Sequence, residues 1–180
     1  MRTIEELDKH IATYIQGGFG PADMAVMKEE IEKLRPGDVY LEIGVDEGRS
    51  FRTAYEYAKP GVYLLGIDIH DHYDVPDVTI GRAKFMEQEG MVGLGKRGFY
   101  IHGDADEFAF LFNTVDLLFI DGHHNYESVK KNTLTWEHKV LHGTILFHDI
   151  DHPDVLRWLN EYYGIGKWEA LHGKIGRVRT

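Results

Sequence analysis

Acidic residues close a series of short apolar runs along the chain: Glu42, Asp68, Asp104, Asp121 and Asp149 each end such a run or stand just beyond it. An open parallel sheet binds its ligands outside the carboxyl ends of its strands, so these five carboxylates would share one rim. An Asp after a strand also caps the following helix, which accounts for any one of them by turn chemistry alone. Turn chemistry accounts less well for all five together.

The turn Glu42-Ile43-Gly44-Val45-Asp46-Glu47-Gly48-Arg49-Ser50 joins a strand to a helix through two glycines. Glycine lets backbone approach a ligand closely there. The spacing is not G-x-G-x-x-G, and acids at 42, 46 and 47 would repel a pyrophosphate, so a dinucleotide is a poor fit. A true G-x-G-x-x-G runs from Gly93 to Gly98, but it precedes a strand instead of following one and reads as a loop. Asp68 stands about twenty residues past the glycine turn, where a carboxylate can accept both hydroxyls of a ribose. That spacing suits a nucleoside. Of the histidines, His123, His152 and the His70-Asp71-His72 cluster read as solvated turn residues, and Tyr126 as packing or a substrate contact.

These groups need a frame, and the apolar patterning supplies one. Val39 to Ile43, Val62 to Ile69, Phe99 to His102, Val115 to Ile120 and Thr144 to His148 are short runs without polar alternation, as expected of parallel strands covered on both faces. Helix-compatible stretches separate or follow them near 49–58, 79–90, 105–112, 126–139 and 153–163. Ahead of this β/α alternation, Ile4, Leu7, Ile11 and Ile15 recur at helical spacing behind a Thr3/Glu6 capping box, up to Gly17-Gly18. A second helix is expected from Pro21 to about Arg35, with Met24, Met27, Ile31 and Leu34 as its packing face and Pro36-Gly37 as its stop. Trp168 to Leu171 and Ile175 to Val178 around Gly173 predict a terminal hairpin at the sheet edge.

At 180 residues with 43% hydrophobic content, the chain suits one domain with a substantial core. Its divisions would be N-terminal helices over 1–36, a binding core over 38–151, and a C-terminal helix and hairpin over 152–180. Thirty acidic against twenty basic residues, a formal charge of −10, argue against nucleic acid and anionic membranes as partners. With no cysteine, no disulfide, thiolate nucleophile or cysteine-type zinc site can form. The charged residues Glu5, Glu6, Asp8 and Lys9 deny the first residues a signal-peptide core, and no run reaches the ~18 apolar residues of a membrane span. A cytoplasmic protein is the expectation.

Leu-Glu-Ile-Gly-Val-Asp-Glu-Gly-Arg-Ser, Gly-Ile-Asp68, Phe-Ile-Asp121-Gly-His-His-Asn-Tyr-Glu and Gly-Thr-Ile-Leu-Phe-His-Asp149-Ile-Asp, in that order, resemble class I S-adenosylmethionine-dependent methyltransferases. The likeness runs over roughly residues 38 to 151, and its nearest branch resembles the macrocin-type sugar O-methyltransferases. It implies a Rossmann-like α/β fold: seven strands, mostly parallel, with a C-terminal antiparallel hairpin and helices on both faces. It further implies Glu42, Gly44, Gly48 and Ser50 around the methionine moiety of S-adenosylmethionine, Asp68 on the ribose, and Asp104 with Ala105 by the adenine. Asp121 would border the cofactor and, with Asp149, hold a divalent metal, Mg²⁺ by its oxygen ligands or Mn²⁺ if a nitrogen joins. The family pattern often has Asp or Asn directly after the second acid; here that residue is Ile150, and Asp151, His148 or water would complete the shell. His124 matches a base proposed in the macrocin-type enzymes, and an imidazole with a pKa near 6.5 suits that work.

The implied activity is O-methylation of a small hydroxylated acceptor such as a sugar. An alternative is a catalytically silent nucleoside-binding or assembly domain, which Ile150 and the short chain would favour. A His/Asp metal hydrolase is a third, but it leaves the glycine turn and Asp68 unexplained. The amphipathic first helix offers a surface for a partner subunit in a homo-oligomer.

Overall fold

A computed structural model describes residues 1–15, 17–69, 90–91 and 98–180. Six helices and seven strands occur among them: α1 (Ile4–Ala12), α2 (Pro21–Ile31), β1 (Val39–Ile43), α3 (Arg49–Tyr57), β2 (Tyr63–Asp68), β3 (Gly98–His102), α4 (Ala105–Phe108), β4 (Leu117–Ile120), α5 (Tyr126–Trp136), β5 (Thr144–Phe147), α6 (Pro153–Tyr162), β6 (Glu169–Ala170) and β7 (Gly176–Arg179). The strands form one sheet in the order β3-β2-β1-β4-β5-β7-β6. Strands β1 to β5 run parallel; β7 lies antiparallel to both β5 and β6. This is the Rossmann-like α/β architecture expected, with the tail hairpin extending the sheet.

Register decides what shares the rim. Ile43 faces Ile67 on one side and Ile120 on the other, and Ile120 faces Phe147. The next residues, Gly44, Asp68, Asp121 and His148, therefore form a level row across the carboxyl ends. Strands β2 and β3 lie on one side of β1, and the chain then crosses from β3 to β4 on the other, so the row spans the switch point where α/β sheets bind ligands.

Successive strand side chains point to opposite faces, and both faces are covered. Tyr40, Leu64, Leu117, Phe119 and Leu146 pack with the first three helices, whereas Leu41, Ile43, Ile67, Leu118, Ile145 and Phe147 pack with the layer that contains Trp136, Trp158 and Leu159. The capping box of α1 forms as predicted: the Thr3 N–H donates to the Glu6 carboxylate and the Glu6 N–H to the Thr3 hydroxyl oxygen. Leu7 and Ile11 of that helix are fully buried in the chain's own core. Helix α2 stops at Ile31, short of Arg35, and the chain then turns so that Leu34 still packs. The stretch from 105 divides into α4 and a 3₁₀ turn at Ala109–Leu111. The helix expected near 79–90, the His70-Asp71-His72 cluster and all but the last residue of the Gly93–Gly98 loop lie outside the described residues. Among those described, no helix is long and apolar enough to cross a membrane.

Candidate active site

A cavity of about 460 Å³ opens over the row of strand ends, within the size range of small-molecule sites. Gly44, Ser50, Asp68, Asp104, Ala105, Asp121, His124 and Asp149 line it, so eight of the ten sequence-predicted positions meet in one cavity. Glu42 and Gly48 do not line it. Glu42 is fully buried behind the wall, where it accepts hydrogen bonds from the Tyr40 and Ser50 hydroxyls. Burial pushes its carboxyl up to about 8, against the two hydroxyls that favour the charged form and with Asp121 and Asp68 adding repulsion. Gly48 is the N-cap of α3. Gly44 has φ +84, and a Cβ there would lie 2.3 Å from the Asp121 carbonyl oxygen, so only glycine lets β1 turn out against the end of β4.

At one end of the cavity the acids serve the chain's own backbone. Asp68 Oδ2 accepts the N–H groups of Val45 and Asp46, each at 2.8 Å, and so fixes the glycine turn. Asp104 caps α4 through the Asp106 N–H at 3.0 Å and meets Lys131 Nζ at 2.9 Å. The Lys131 ammonium holds the Asp104 carboxyl below its ordinary range. Asp106 accepts from Asn132.

At the other end, acids and imidazoles converge. His148 Nδ1 lies 3.0 Å from Asp121 Oδ1 and 3.3 Å from Asp149 Oδ2. His124 Nε2 lies 3.5 Å and 3.1 Å from the same two oxygens. Lys174 Nζ, from the turn between β6 and β7, reaches the other Asp149 oxygen at 3.0 Å. Burial alone would lower the His148 pKa, but Asp121, Asp149 and Asp23 outweigh it and lift the imidazole to about 11. His148 and Lys174 in turn hold the Asp149 carboxyl far below the carboxylate range, despite its partial burial. Asp121 raises His124 in the same way. Asp121, His148 and Asp149 each offer one donor atom within 4.8 Å of the others, the set a divalent cation would need. Asp149 sits at φ +50 and Asp46 at φ +48, two non-glycine residues in the left-handed region on the same cavity wall. Such conformations cluster where function demands them.

A third wall comes from the segment between α1 and α2. Arg49, buried at the start of α3, donates to the Phe19 and Ile15 carbonyls and pairs with Asp8 at 2.6 Å. This pins Gly17, Gly18 and Phe19 along the cavity, with the Phe19 ring 5.5 Å from that of His148. Arg49, Phe19, His148 and Lys174 were not assigned from sequence as site residues. Only His148 carried a signal, as one candidate to complete a metal shell. Of the remaining histidines, His123 lines the cavity, while His152 accepts the Asp154 N–H as the cap of α6. The Tyr126 hydroxyl donates to Glu161, and its ring packs on Trp158, which makes it a packing residue of α5 and α6.

A family profile described as a methyltransferase domain matches residues 41–150. The chain belongs to this family, with the class I methyltransferase fold. No curated protein sequence matches it. Solved structures similar to this methyltransferase include CalS11, a TDP-rhamnose 3′-O-methyltransferase of calicheamicin biosynthesis, at 17% identity and a TM-score of 0.63, over 87% of this chain and 76% of that one. An O-methyltransferase from Bacillus cereus, solved with SAH, is similar at 14% identity and a TM-score of 0.67, covering 99% and 90%. TomG from Streptomyces achromogenes, involved in tomaymycin synthesis and solved with SAM, is similar at 13% identity and 0.64, covering 100% and 90%. At these identities the likeness is one of fold. The macrocin-type branch has no separate match among them.

Proposed function

We propose that this methyltransferase transfers the methyl group of S-adenosylmethionine to a hydroxyl of a small acceptor, a sugar being the class that best suits it, with a divalent cation at Asp121 and Asp149. The observation that carries the reading is the level row Gly44, Asp68, Asp121 and His148 at the mouth of a cavity lined by seven acidic side chains, Asp46, Glu47, Asp68, Asp104, Asp106, Asp121 and Asp149. Such a wall complements a sulfonium with hydroxyl and amino donors. CalS11 by its name methylates a sugar hydroxyl, which supports the choice of acceptor.

The donor sets fit both groups. Asp68 takes the ribose hydroxyls: a carboxylate offers about four lone-pair sites, so the Val45 and Asp46 amides leave acceptor capacity. Ser50 and Gly44 border the methionine portion, with Glu42 behind the wall holding the Ser50 hydroxyl. Asp104 and Ala105 border the adenine. When bound, S-adenosylmethionine supplies a methyl group on positively charged sulfur, and the cation supplies positive charge beside the acceptor oxygen. His124, half-exposed on the rim, is the base that takes the acceptor's proton, in its neutral form. Phe19 and its neighbours exclude water on the third side.

Calorimetric titration with S-adenosylhomocysteine tests the reading. We expect micromolar-range binding that Asp68→Ala abolishes; no heat at millimolar ligand with the folded wild-type chain rejects it.

A further inference from the structure

Asp23, on α2 and far outside the residues that match the family, faces the back of His148. Its side chain is buried, and each of its oxygens is held: Oδ2 accepts the Gly20 N–H at 2.9 Å and Oδ1 the Lys174 N–H at 2.8 Å. The fit is close enough that a Cβ on Gly173 would lie 2.1 Å from Asp23 Oδ1. His148 is 4% exposed, its Nε2 has no hydrogen-bond partner, and the nearest acid is Asp23 Oδ2 at 3.8 Å.

Resting on the reading of a cation at Asp121 and Asp149, we infer that Asp23 is a positioning residue that turns His148 Nδ1 into the third ligand, so that the centre takes Mn²⁺ in preference to Mg²⁺. Four observations support this. One Nδ1–H serves one acceptor well, yet Nδ1 faces two carboxylate oxygens at 3.0 and 3.3 Å. Those separations match neighbouring ligands of an octahedral ion, because bonds of about 2.1 Å at right angles put the donors about 3 Å apart. Lys174 occupies Asp149 Oδ1 and leaves Oδ2 turned inward. A metal-bound imidazole characteristically hands its other N–H to a carboxylate, and Asp23 is the carboxylate behind Nε2. Ile150, where the family pattern has an oxygen ligand, packs against Gly176 instead. The residue before Asp149 thus replaces the residue after it, and nitrogen replaces oxygen. Imidazole suits transition ions, whereas Mg²⁺ selects oxygen.

Mn²⁺ titration of the full chain, read by electron paramagnetic resonance, tests this without turnover. Pulsed spectra of bound Mn²⁺ should carry a directly bonded ¹⁴N coupling that persists in His124→Gln and disappears in His148→Asp. His148→Asp should also move the Mg²⁺/Mn²⁺ affinity ratio toward Mg²⁺ by about tenfold or more, and Asp23→Asn should weaken Mn²⁺ by about tenfold with S-adenosylhomocysteine affinity unchanged. Mn²⁺ bound without nitrogen coupling overturns the inference, as does an Asp23→Asn variant that binds Mn²⁺ like wild type. Wild-type chain that binds S-adenosylhomocysteine but no Mn²⁺ overturns the inference and leaves methyl transfer standing. Loss of both ligands removes the underlying reading. Should His148→Asp fail to fold, the wild-type and His124→Gln spectra decide alone.

Discussion

The two ends of the cavity use the same residue type in opposite ways. Around Asp68 and Asp104 the carboxylates accept backbone N–H groups from residues close by in the sequence or from the adjoining turn, with Lys131 beside Asp104 as a side-chain cation, and they shape the wall. Around Asp121 and Asp149 they face two imidazoles and an ammonium. A carboxylate bonded to backbone amides is a fixed part of the scaffold. One balanced by side-chain cations can exchange its partners for another cation. The first end is therefore suited to recognition and the second to chemistry.

Removing a charge at the second end separates the two most sharply. Asp149→Asn should lower methyl transfer by about a hundred- to a thousandfold while S-adenosylhomocysteine affinity stays within about threefold, measured by steady-state turnover beside calorimetry. Equal losses in both would mean that the ends act as one unit.

Gly44 joins the ends, because its backbone abuts Asp121. Gly44→Ala introduces both a left-handed penalty and a backbone collision, so unfolding free energy should fall by about 3 kcal/mol. In a chain of this size that lowers the melting temperature by about 6–12 °C, measured by calorimetry. A melting temperature within a degree or two of wild type would show that the β1 and β4 ends separate freely.

Glu42 lies beneath the wall, and the sign of its pH effect follows from burial. Its folded pKa of about 8 is above the ordinary 4.5, so the folded chain holds a proton that the unfolded chain has lost between those values. Its contribution to stability thus falls as pH rises from about 4.5 to about 8 and is constant beyond, by up to a few kcal/mol. Glu42→Gln lacks that slope. Urea unfolding of both proteins at pH 5 and pH 8.5 should show the variant gaining on wild type at the higher pH. A difference independent of pH would mean that Glu42 is charged when folded.

The sheet was legible because its strands are apolar runs without alternation, and the rim because acids end those runs. The glycine turn and Asp68 were readable from local spacing, and their positions on the wall follow from register. Glu42 was not, since strand alternation sends its side chain beneath the wall, into a pair of hydroxyl bonds. Arg49 acts on partners 30 to 41 residues away, and Lys174 on Asp149 at 25 and on Asp23 at 151, and no local pattern marks such contacts. His148 was visible as a strand end, but only the pairing of Ile120 with Phe147 sets it level with Asp121.

The segment from Gly173 to Arg179 stitches the end of the chain to α2: the Lys174 amide meets Asp23, Arg177 meets Glu30, and β7 covers the open edge of β5. During synthesis, α2 emerges more than a hundred residues before these partners do. The nascent polypeptide must hold Asp23 and Glu30 in water and leave β5 with an unpaired edge until the last strand arrives. Assembly of the chemical end of the cavity thus waits on translation of residues 173–179.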